Sequence, residues 1–141
     1  MSLVYWDTML FIYWLEENGR YVERIRTILD GMEARGDVLC TSAFTLGEVL
    51  TGPYKRNELE LARRIRDAMR DPYVRMLPYT TDIADRYASI RALHPVSPAD
   101  AIHLASAGHA KVDLFLTNDR QLTGMLIPGI QYIAGLDISL Y

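Results

Sequence analysis

The sequence contains a single cysteine, Cys40, among its 141 residues. One thiol cannot form an intramolecular disulfide, and it cannot supply a cysteine-rich zinc site. No apolar run approaches the roughly 20 residues that span a bilayer, and no basic segment followed by an apolar core, typical of a secretory signal, is present. The sequence therefore predicts a soluble chain that works in the reducing cytoplasm and does not contact a membrane.

The sequence also lacks an excess of positive charge. It has 15 Lys and Arg against 18 Asp and Glu, a formal net charge of −3, whereas domains that bind nucleic acid indiscriminately are usually basic. Basic residues are nevertheless concentrated between residues 55 and 75. Such a segment can hold a polyanion, and a solvated arginine-rich helix face explains it equally well. The candidate polyanion contacts are Arg63, Arg64, Arg66 and Arg70.

The chain has no internal repeat, low-complexity tract or linker, so we expect one domain over residues 1–141. Short apolar runs predict strands at 3–6, 38–41, 74–77, 114–116 and 131–134. Segments with helical periodicity predict helices at 9–17, 21–32, 43–52, 57–70, 82–93 and 98–110, the third ending at the Gly52-Pro53 break, and a short helical turn at 118–123. This alternation predicts an α/β fold with a central parallel sheet of four to five strands flanked by helices.

Four acidic residues lie where the predicted strands end or in the helices beside them. Asp7 follows the first strand and Asp119 follows the fourth. Asp100 lies in the first turn of a helix that Ser97 is placed to cap. Glu48 lies in the helix after the second strand, in an apolar stretch without a basic partner one turn away. All four segments reach the carboxyl edge of the sheet, where open parallel sheets bind ligands.

Carboxylates gathered at one edge repel one another unless a cation neutralises them. Oxygen ligands without a Cys or His cluster favour Mg²⁺ or Mn²⁺ over Zn²⁺. Taken singly, Asp7, Asp100 and Asp119 also have a structural explanation as residues that cap or begin helices. Glu48 lacks that explanation, and burying it unpaired is costly. The sequence thus predicts a divalent-cation site, with helix capping as the alternative for three of its members.

Four short strings resemble, in order, the acidic motifs of PIN-domain nucleases. They are VYWDT at 4–8, SAFTLGEV at 42–49, SPADAIHLASA at 97–107 and LTNDR at 116–120. The resemblance extends over essentially the whole chain and, more narrowly, is to VapC-type toxins of toxin–antitoxin pairs. It implies a Mg²⁺- or Mn²⁺-dependent endoribonuclease. The implied catalytic and metal-binding residues are Asp7, Glu48, Asp100 and Asp119, with Thr8 and Thr117 supporting a carboxylate or a water.

The resemblance also implies partners. These are an RNA substrate, a second copy of the chain in a homodimer, and a small cognate antitoxin that blocks the acidic pocket. The four arginines of the basic segment then become candidate RNA contacts. One departure concerns the fourth motif, because many family members have a second acid two residues after the position of Asp119. This chain has Gln121 there, which weakens the expectation of a second tightly held metal ion.

Other interpretations fit parts of the sequence. A non-catalytic PIN-like binding or regulatory module is the main alternative, and the presence of all four acids argues against it. A phosphohydrolase would need a second acid two residues after Asp7, which is absent, and neither lysine is placed where a receiver domain needs one. A DNA substrate stays open because a metal site does not itself recognise the 2′-hydroxyl.

Several other residues have both a functional and a structural interpretation. His103 lies three residues after Asp100, so it can orient that carboxylate or touch RNA. We interpret it instead as a partly buried structural histidine whose ring is hydrogen-bonded. Aromatic residues of the first strand and helix can stack on bases, but their positions favour packing in a core or dimer. They are Tyr5, Trp6, Tyr13 and Trp14.

Overall fold

A computed structural model describes all 141 residues and contains five strands and six helices. The strands are β1 (Leu3–Trp6), β2 (Val38–Ser42), β3 (Arg75–Leu77), β4 (Leu114–Leu116) and β5 (Tyr132–Ala134). The helices are α1 (Thr8–Leu15), α2 (Val22–Arg35), α3 (Ala43–Lys55), α4 (Leu59–Ala68), α5 (Thr81–Leu93) and α6 (Pro98–Ala110). The predicted α/β class is confirmed, and each predicted strand is found to within one residue at each end. None of the helices is long and apolar enough to cross a membrane.

The five strands form one sheet in the order β3-β2-β1-β4-β5, and every neighbouring pair is parallel. The chain builds outward from β1 through β2 to β3, and then crosses to the other side of β1 for β4 and β5. The strand order therefore reverses between β1 and β4, where Trp6 pairs with Leu116. In an open parallel sheet the ligand crevice lies beyond the carboxyl ends of the strands at such a reversal.

The sheet separates two apolar cores, as alternating side chains of a strand require. Val4 and Trp6 belong to the core on the side of α1 and α2, whereas Tyr5 belongs to the other core with α5 and α6. All three side chains are completely buried, and Tyr13 is nearly so. Tyr5 also stacks on Phe115 of β4, with ring centroids 5.0 Å apart. Packing in the core is confirmed for Tyr5, Trp6 and Tyr13, whereas Trp14 is only partly buried against the core that contains Trp6.

Two helix starts form as the sequence indicates, while the predicted end of α3 at the Gly52-Pro53 break is wrong. The hydroxyl oxygens of Ser42 and Ser97 accept the N–H groups of Thr45 and Asp100 at 3.2 and 3.1 Å. Helix α3 does not end at Gly52 but continues to Lys55. The buried Pro53 lies in the last turn, where its missing N–H removes only one helical hydrogen bond. Later N–H groups still bond to the carbonyls of residues 52 and 53, so the helix is completed beyond the proline.

The bounds of other predicted helices differ as well. Helix α1 ends at Leu15 and not at residue 17, and α2 ends at Arg35 and not at residue 32. Helix α4 is two residues shorter at each end than the predicted 57–70, consistent with the fraying expected of an exposed helix end. The residues at 120–124 form hydrogen-bonded turns and not a helix. Their main-chain bonds include Leu122 N–H to the carbonyl of Asp119 and Met125 N–H to that of Leu122.

The last residues of the chain are fixed to α2 by one arginine. The guanidinium of Arg24 donates to the main-chain carbonyls of Leu136 at 2.5 Å, Ile138 at 2.6 Å and Tyr141 at 3.2 Å. The Tyr141 hydroxyl in turn donates to the carboxylate of Asp37 at 2.7 Å. The chain after β5 contains no strand or helix. Side-chain hydrogen bonds therefore hold it, in place of main-chain hydrogen bonds to a neighbouring strand.

Candidate active site

A cavity of about 300 Å³ opens at the carboxyl ends of β1 and β4. All four predicted acids line it: Asp7, Glu48, Asp100 and Asp119. Thr8, Tyr13, His103 and Asn118 are among the other lining residues. The structure thus brings together acids that come from the start of α1, the middle of α3, the first turn of α6 and the turn after β4.

Asp7 is fixed by two donors at the reversal of strand order. Its Oδ1 accepts the N–H of Thr8 at 2.7 Å, which makes it the N-cap of α1. Its Oδ2 accepts the hydroxyl of Thr117 at 2.8 Å. The Thr117 oxygen also accepts the N–H of Asp119 at 3.0 Å. The buried Thr117 hydroxyl therefore links the side chain of Asp7 to the main chain of Asp119. The Asp7 carboxylate both caps α1 and lines the cavity.

Glu48 is positioned from two other elements. The Thr8 hydroxyl donates to its Oε1 at 2.5 Å, and Nε2 of His103 lies 2.8 Å from the same oxygen. Burial by itself disfavours the charged carboxylate, but the hydrogen bonds from His103 and Thr8 outweigh it and hold the pKa of Glu48 below its ordinary value. The basic partner that Glu48 lacks within α3 is supplied by α6.

His103 is 2 % exposed and has partners on both ring nitrogens. Nε2 faces Glu48, while Nδ1 lies 2.8 Å from the hydroxyl of Tyr5. Burial raises the pKa of Tyr5 to about 12, so its hydroxyl keeps the proton it donates. The geometry fits a ring in which Nε2–H donates to Glu48 and Nδ1 accepts from Tyr5. The expected hydrogen bonding of the ring is confirmed, but the side chain is buried and not partly buried, and the carboxylate it contacts is Glu48 and not Asp100.

The sequence did not reveal this contact between His103 and Glu48. The available signals were a glutamate without a partner in its own helix and a histidine on the face of α6 that carries Asp100. Joining the two requires knowing that α3 and α6 are adjacent, which follows from the strand order. Fifty-five residues separate the two side chains, so no local spacing rule connects them.

Asp100 and Asp119 are the less constrained acids. Burial raises the pKa of Asp100; the Ser97 hydroxyl partly offsets this, and the charges of Asp7 and Asp119 raise it further. Asp119 uses Oδ1 to accept the N–H of Gln121 at 2.9 Å, which closes the turn after β4. The side chain of Gln121 does not line the cavity. The fourth motif therefore contributes one carboxylate to the site.

The donor set suits a hard cation, because carboxylates and hydroxyls are the oxygen ligands that Mg²⁺ and Mn²⁺ prefer. No three Asp, Glu, His or Cys side chains, however, lie close enough together to hold an ion as they stand. Direct ligation of one ion by three or more of the carboxylates therefore requires them to move closer, whereas Mg²⁺ commonly binds through one or two carboxylates and keeps several waters. Burial, and after it the charges of Asp7 and Asp119, raise the pKa of Asp100, and a bound cation would neutralise the repulsion among the carboxylates.

The four arginines of the basic segment lie elsewhere. They are exposed and belong to α4 or the turn after it, and none lines the acidic cavity. Arg63 forms salt bridges with Glu60 at 2.5 Å and Asp67 at 3.2 Å, and Asp67 also approaches Arg70 at 3.7 Å. Arg66 donates to the hydroxyl of Tyr54 at 2.6 Å. Three of these arginines thus have partners on the protein, and their contact with RNA stays a prediction.

Fold and site together define a class: a parallel α/β domain in which four acids meet where the strand order reverses. The PIN domain family model matches residues 4–125. The chain therefore belongs to the PIN domain family. A sequence search of curated proteins finds no significant match.

Solved structures with a similar fold include several toxins. VapBC2 from Rickettsia felis, bound to a promoter DNA fragment, has a TM-score of 0.75 at 14% identity, with 94% of this chain and 98% of that chain covered. A toxin–antitoxin complex from Klebsiella pneumoniae gives 0.68 at 22% identity, covering 98% of both chains. VapC20 from Mycobacterium tuberculosis, a sarcin-ricin loop cleaving toxin, gives 0.68 at 18% identity, covering 87% and 96%. At these identities the likeness shows the fold.

Proposed function

We propose that this chain is a Mg²⁺- or Mn²⁺-dependent endoribonuclease that acts in the cytoplasm as the toxin of a toxin–antitoxin pair. The observation that carries the proposal is the meeting of Asp7, Glu48, Asp100 and Asp119 in one cavity at the strand-order reversal. Membership of the PIN domain family supports a nuclease. The similarity to a sarcin-ricin loop cleaving toxin supports RNA as the substrate.

In this proposal the four carboxylates bind the cation, and the hydroxyls of Thr8 and Thr117 position two of these carboxylates. A bound ion lowers the pKa of a coordinated water and neutralises charge that develops on the phosphate. Thr117 and the N–H of Thr8 fix both oxygens of Asp7, while the Thr8 hydroxyl and His103 fix Glu48. These contacts hold two of the four ligands in place before any ion arrives, which limits the reorganisation that binding requires. Hydrolysis leaves a 5′-phosphate and a 3′-hydroxyl.

The proposal includes two protein partners. The Klebsiella structure is a toxin–antitoxin complex and VapC20 is a toxin, which supports a small antitoxin as a partner here. We propose that the antitoxin blocks the acidic cavity and that the chain forms a homodimer. Met9, on α1 beside the cavity, is 43 % exposed and offers an apolar contact at its mouth.

Incubating the purified chain with structured and unstructured RNA tests the catalytic proposal. We expect cleavage with Mg²⁺ or Mn²⁺ and none with excess chelator, because carboxylates without a cation cannot activate water in this site. A parallel Asp7→Asn sample should be inactive. Single-stranded DNA of the same sequence shows whether the 2′-hydroxyl matters. Cleavage that persists in chelator, or in the Asp7→Asn sample, contradicts the metal mechanism. A folded chain that cleaves nothing favours a non-catalytic PIN-like module.

His103 gives a second prediction. His103→Ala should lower cleavage by about 10- to 100-fold, the effect typical of losing a residue that orients a metal ligand. It should also raise the Mg²⁺ concentration needed for half-maximal rate, which a general loss of folded protein does not do. His103→Gln can still donate to Glu48 and should recover part of the activity. His109→Ala, on the exposed side of α6, is the control. If all three variants reach half-maximal rate at the same Mg²⁺ concentration as the wild type, the role of His103 is limited to core packing.

A further inference from the structure

A second cavity, of about 1190 Å³, adjoins the acidic one. Its walls come from the α1–α2 connection, the turns after β4, and the chain from β5 to residue 140. Asn118 lines both cavities, and Thr117, which holds Asp7, lines the second. The two cavities are therefore neighbours along the carboxyl edge of the sheet, separated by the residues that follow β4.

The charge of this second cavity is opposite to that of the first. Arg20 and Arg120 line it, both are exposed, and neither side chain forms a salt bridge or a hydrogen bond with a protein acceptor. Asp137 is the single acid in its lining. Arg63 on α4 differs, since Glu60 and Asp67 already neutralise it. The free guanidinium groups beside the acidic cavity keep their capacity to bind an external anion.

Aromatic rings accompany the two arginines. Tyr132 of β5 is 59 % exposed. Tyr21 is half-buried, with the guanidinium of Arg20 over its ring at 5.1 Å from the centroid. Exposed rings beside arginines are what proteins use to bind single-stranded nucleic acid, because bases stack on the rings and phosphates pair with the cations. A double helix hides its base faces and cannot use them in this way.

We infer that this cavity, the arginine groove (Arg20, Tyr21, Arg120 and Tyr132), binds the single-stranded RNA segment next to the scissile phosphodiester. The inference rests on the proposed function and adds to it the surface that holds the strand beside the cleavage point. Arg20 and Arg120 bind backbone phosphates, and Tyr132 stacks on a base. The acidic cavity alone repels a polyanion, so the adjoining cations supply the attraction that brings the strand to it. The groove, and not α4, is then the main RNA contact.

Binding of a fluorescently labelled, unstructured RNA oligonucleotide tests this inference. Measurements in excess chelator prevent cleavage, and a salt series gives the number of phosphate contacts. We expect Arg20→Gln/Arg120→Gln to bind about tenfold more weakly at moderate salt. Its log–log salt slope should be smaller by about 1.4, since each contact to a single strand contributes about 0.7. Arg63→Gln/Arg70→Gln, which removes as many exposed arginines from α4, should bind like the wild type.

The aromatic part of the groove has its own test. Tyr132→Ala should weaken binding by about fivefold or more, the lower end of the effect of losing one stacked base. Tyr132→Phe keeps the ring and should bind normally. Tyr73→Ala, which removes an exposed ring elsewhere, should bind normally too. All these residues are exposed, so thermal unfolding of the variants should match that of the wild type.

Each outcome decides between the two proposals. If the wild type cleaves RNA with Mg²⁺ and the groove variants bind and cleave like it, the groove inference is overturned while the nuclease stands. If the α4 variant loses affinity and the groove variant does not, α4 is the RNA contact and the inference is likewise overturned. A folded wild type that neither binds nor cleaves RNA overturns the groove inference and the proposed function together.

Discussion

Asp100→Asn is expected to lower Mg²⁺-dependent RNA cleavage on the order of 10²-fold, as the loss of a positioned electrostatic group does. The same substitution should leave the free energy of unfolding of the metal-free chain unchanged or higher. Activity and stability move in opposite directions because Asp100 lies beside Asp7 and Asp119, whose charges oppose its own. A carboxylate that served only the fold would cost stability when removed.

The pH dependence of this effect has a definite sign. The pKa of Asp100 is raised above its ordinary value of 3.8, first by burial and then by the neighbouring carboxylates. A raised carboxyl pKa gives stability that is complete below the unfolded value and is lost as the pH rises through the folded value. At neutral pH the wild type carries this penalty and the Asn variant does not. The advantage of the variant should therefore shrink as the pH falls from neutral through the raised folded pKa of Asp100, and should be gone below the unfolded value of about 4.

Urea unfolding without metal, at pH 7 and near pH 4, measures these stabilities, and RNA cleavage with Mg²⁺ measures activity. Asp82→Asn is the matched control, because Asp82 is an exposed acid in the first turn of α5. It should lose about 0.3–1 kcal/mol of favourable interaction with the helix dipole and keep full activity. Added Mg²⁺ should stabilise the wild type more than Asp100→Asn, since a ligand stabilises the state that binds it. If Asp100→Asn is less stable than the wild type but cleaves RNA and binds Mg²⁺ normally, the role of Asp100 is limited to stabilising the first turn of α6.

Arg24→Met is expected to lower the free energy of unfolding by about 3 kcal/mol, because one charged group donates to three main-chain carbonyls and such bonds are worth about 1.5–3 kcal/mol each without being additive. The half-buried guanidinium holds the chain from Leu136 to Tyr141 against α2. Methionine preserves much of the apolar stem but leaves those carbonyls without their donor. Urea unfolding measures the loss.

Arg26→Met is the control for this prediction. Arg26 lies on the same helix, two residues away, and forms salt bridges with Glu23 at 2.6 Å and Glu17 at 3.4 Å. Its partners and its own side chain are solvent-exposed, so the substitution should change stability by less than about 1 kcal/mol. Equal losses of unfolding free energy in Arg24→Met and Arg26→Met would show that Arg24 stabilises the fold no more than an exposed salt bridge does.

The two arginines show where prediction from the sequence ends. Arg24 and Arg26 have the same local sequence context. From the sequence, each is equally compatible with holding a distant segment of the chain and with forming an exposed salt bridge. The choice depends on which side of α2 meets the chain after β5, and that is set by tertiary packing. The contact between Glu48 and His103 likewise depends on tertiary packing, because it joins α3 to α6.

Features encoded within a few residues were predictable. Ser97 and Pro98 begin a helix whose first turn carries Asp100, and the apolar runs at Leu3–Trp6 and Leu114–Leu116 place Asp7 and Asp119 after strands. The pairing of Arg63 with Glu60 and Asp67 was also visible as spacings of three and four on one helix. A polyanion contact and a solvated helix face were equally compatible with the basic segment, and these spacings, which neutralise much of its charge, favour the solvated face.

The pairing of β1 with β4 also bears on how the molecule is made. Asp7 lies at the start of the chain, and its partner Thr117 is 110 residues later. A ribosome adds about 5–20 residues per second, so roughly 6–22 s pass between synthesis of the first acid and the fourth. Until β4 has left the ribosome, β1 lacks one of its two neighbouring strands and Asp7 lacks the Thr117 hydroxyl. The four-acid site therefore cannot form until β4 and the residues that follow it have left the ribosome.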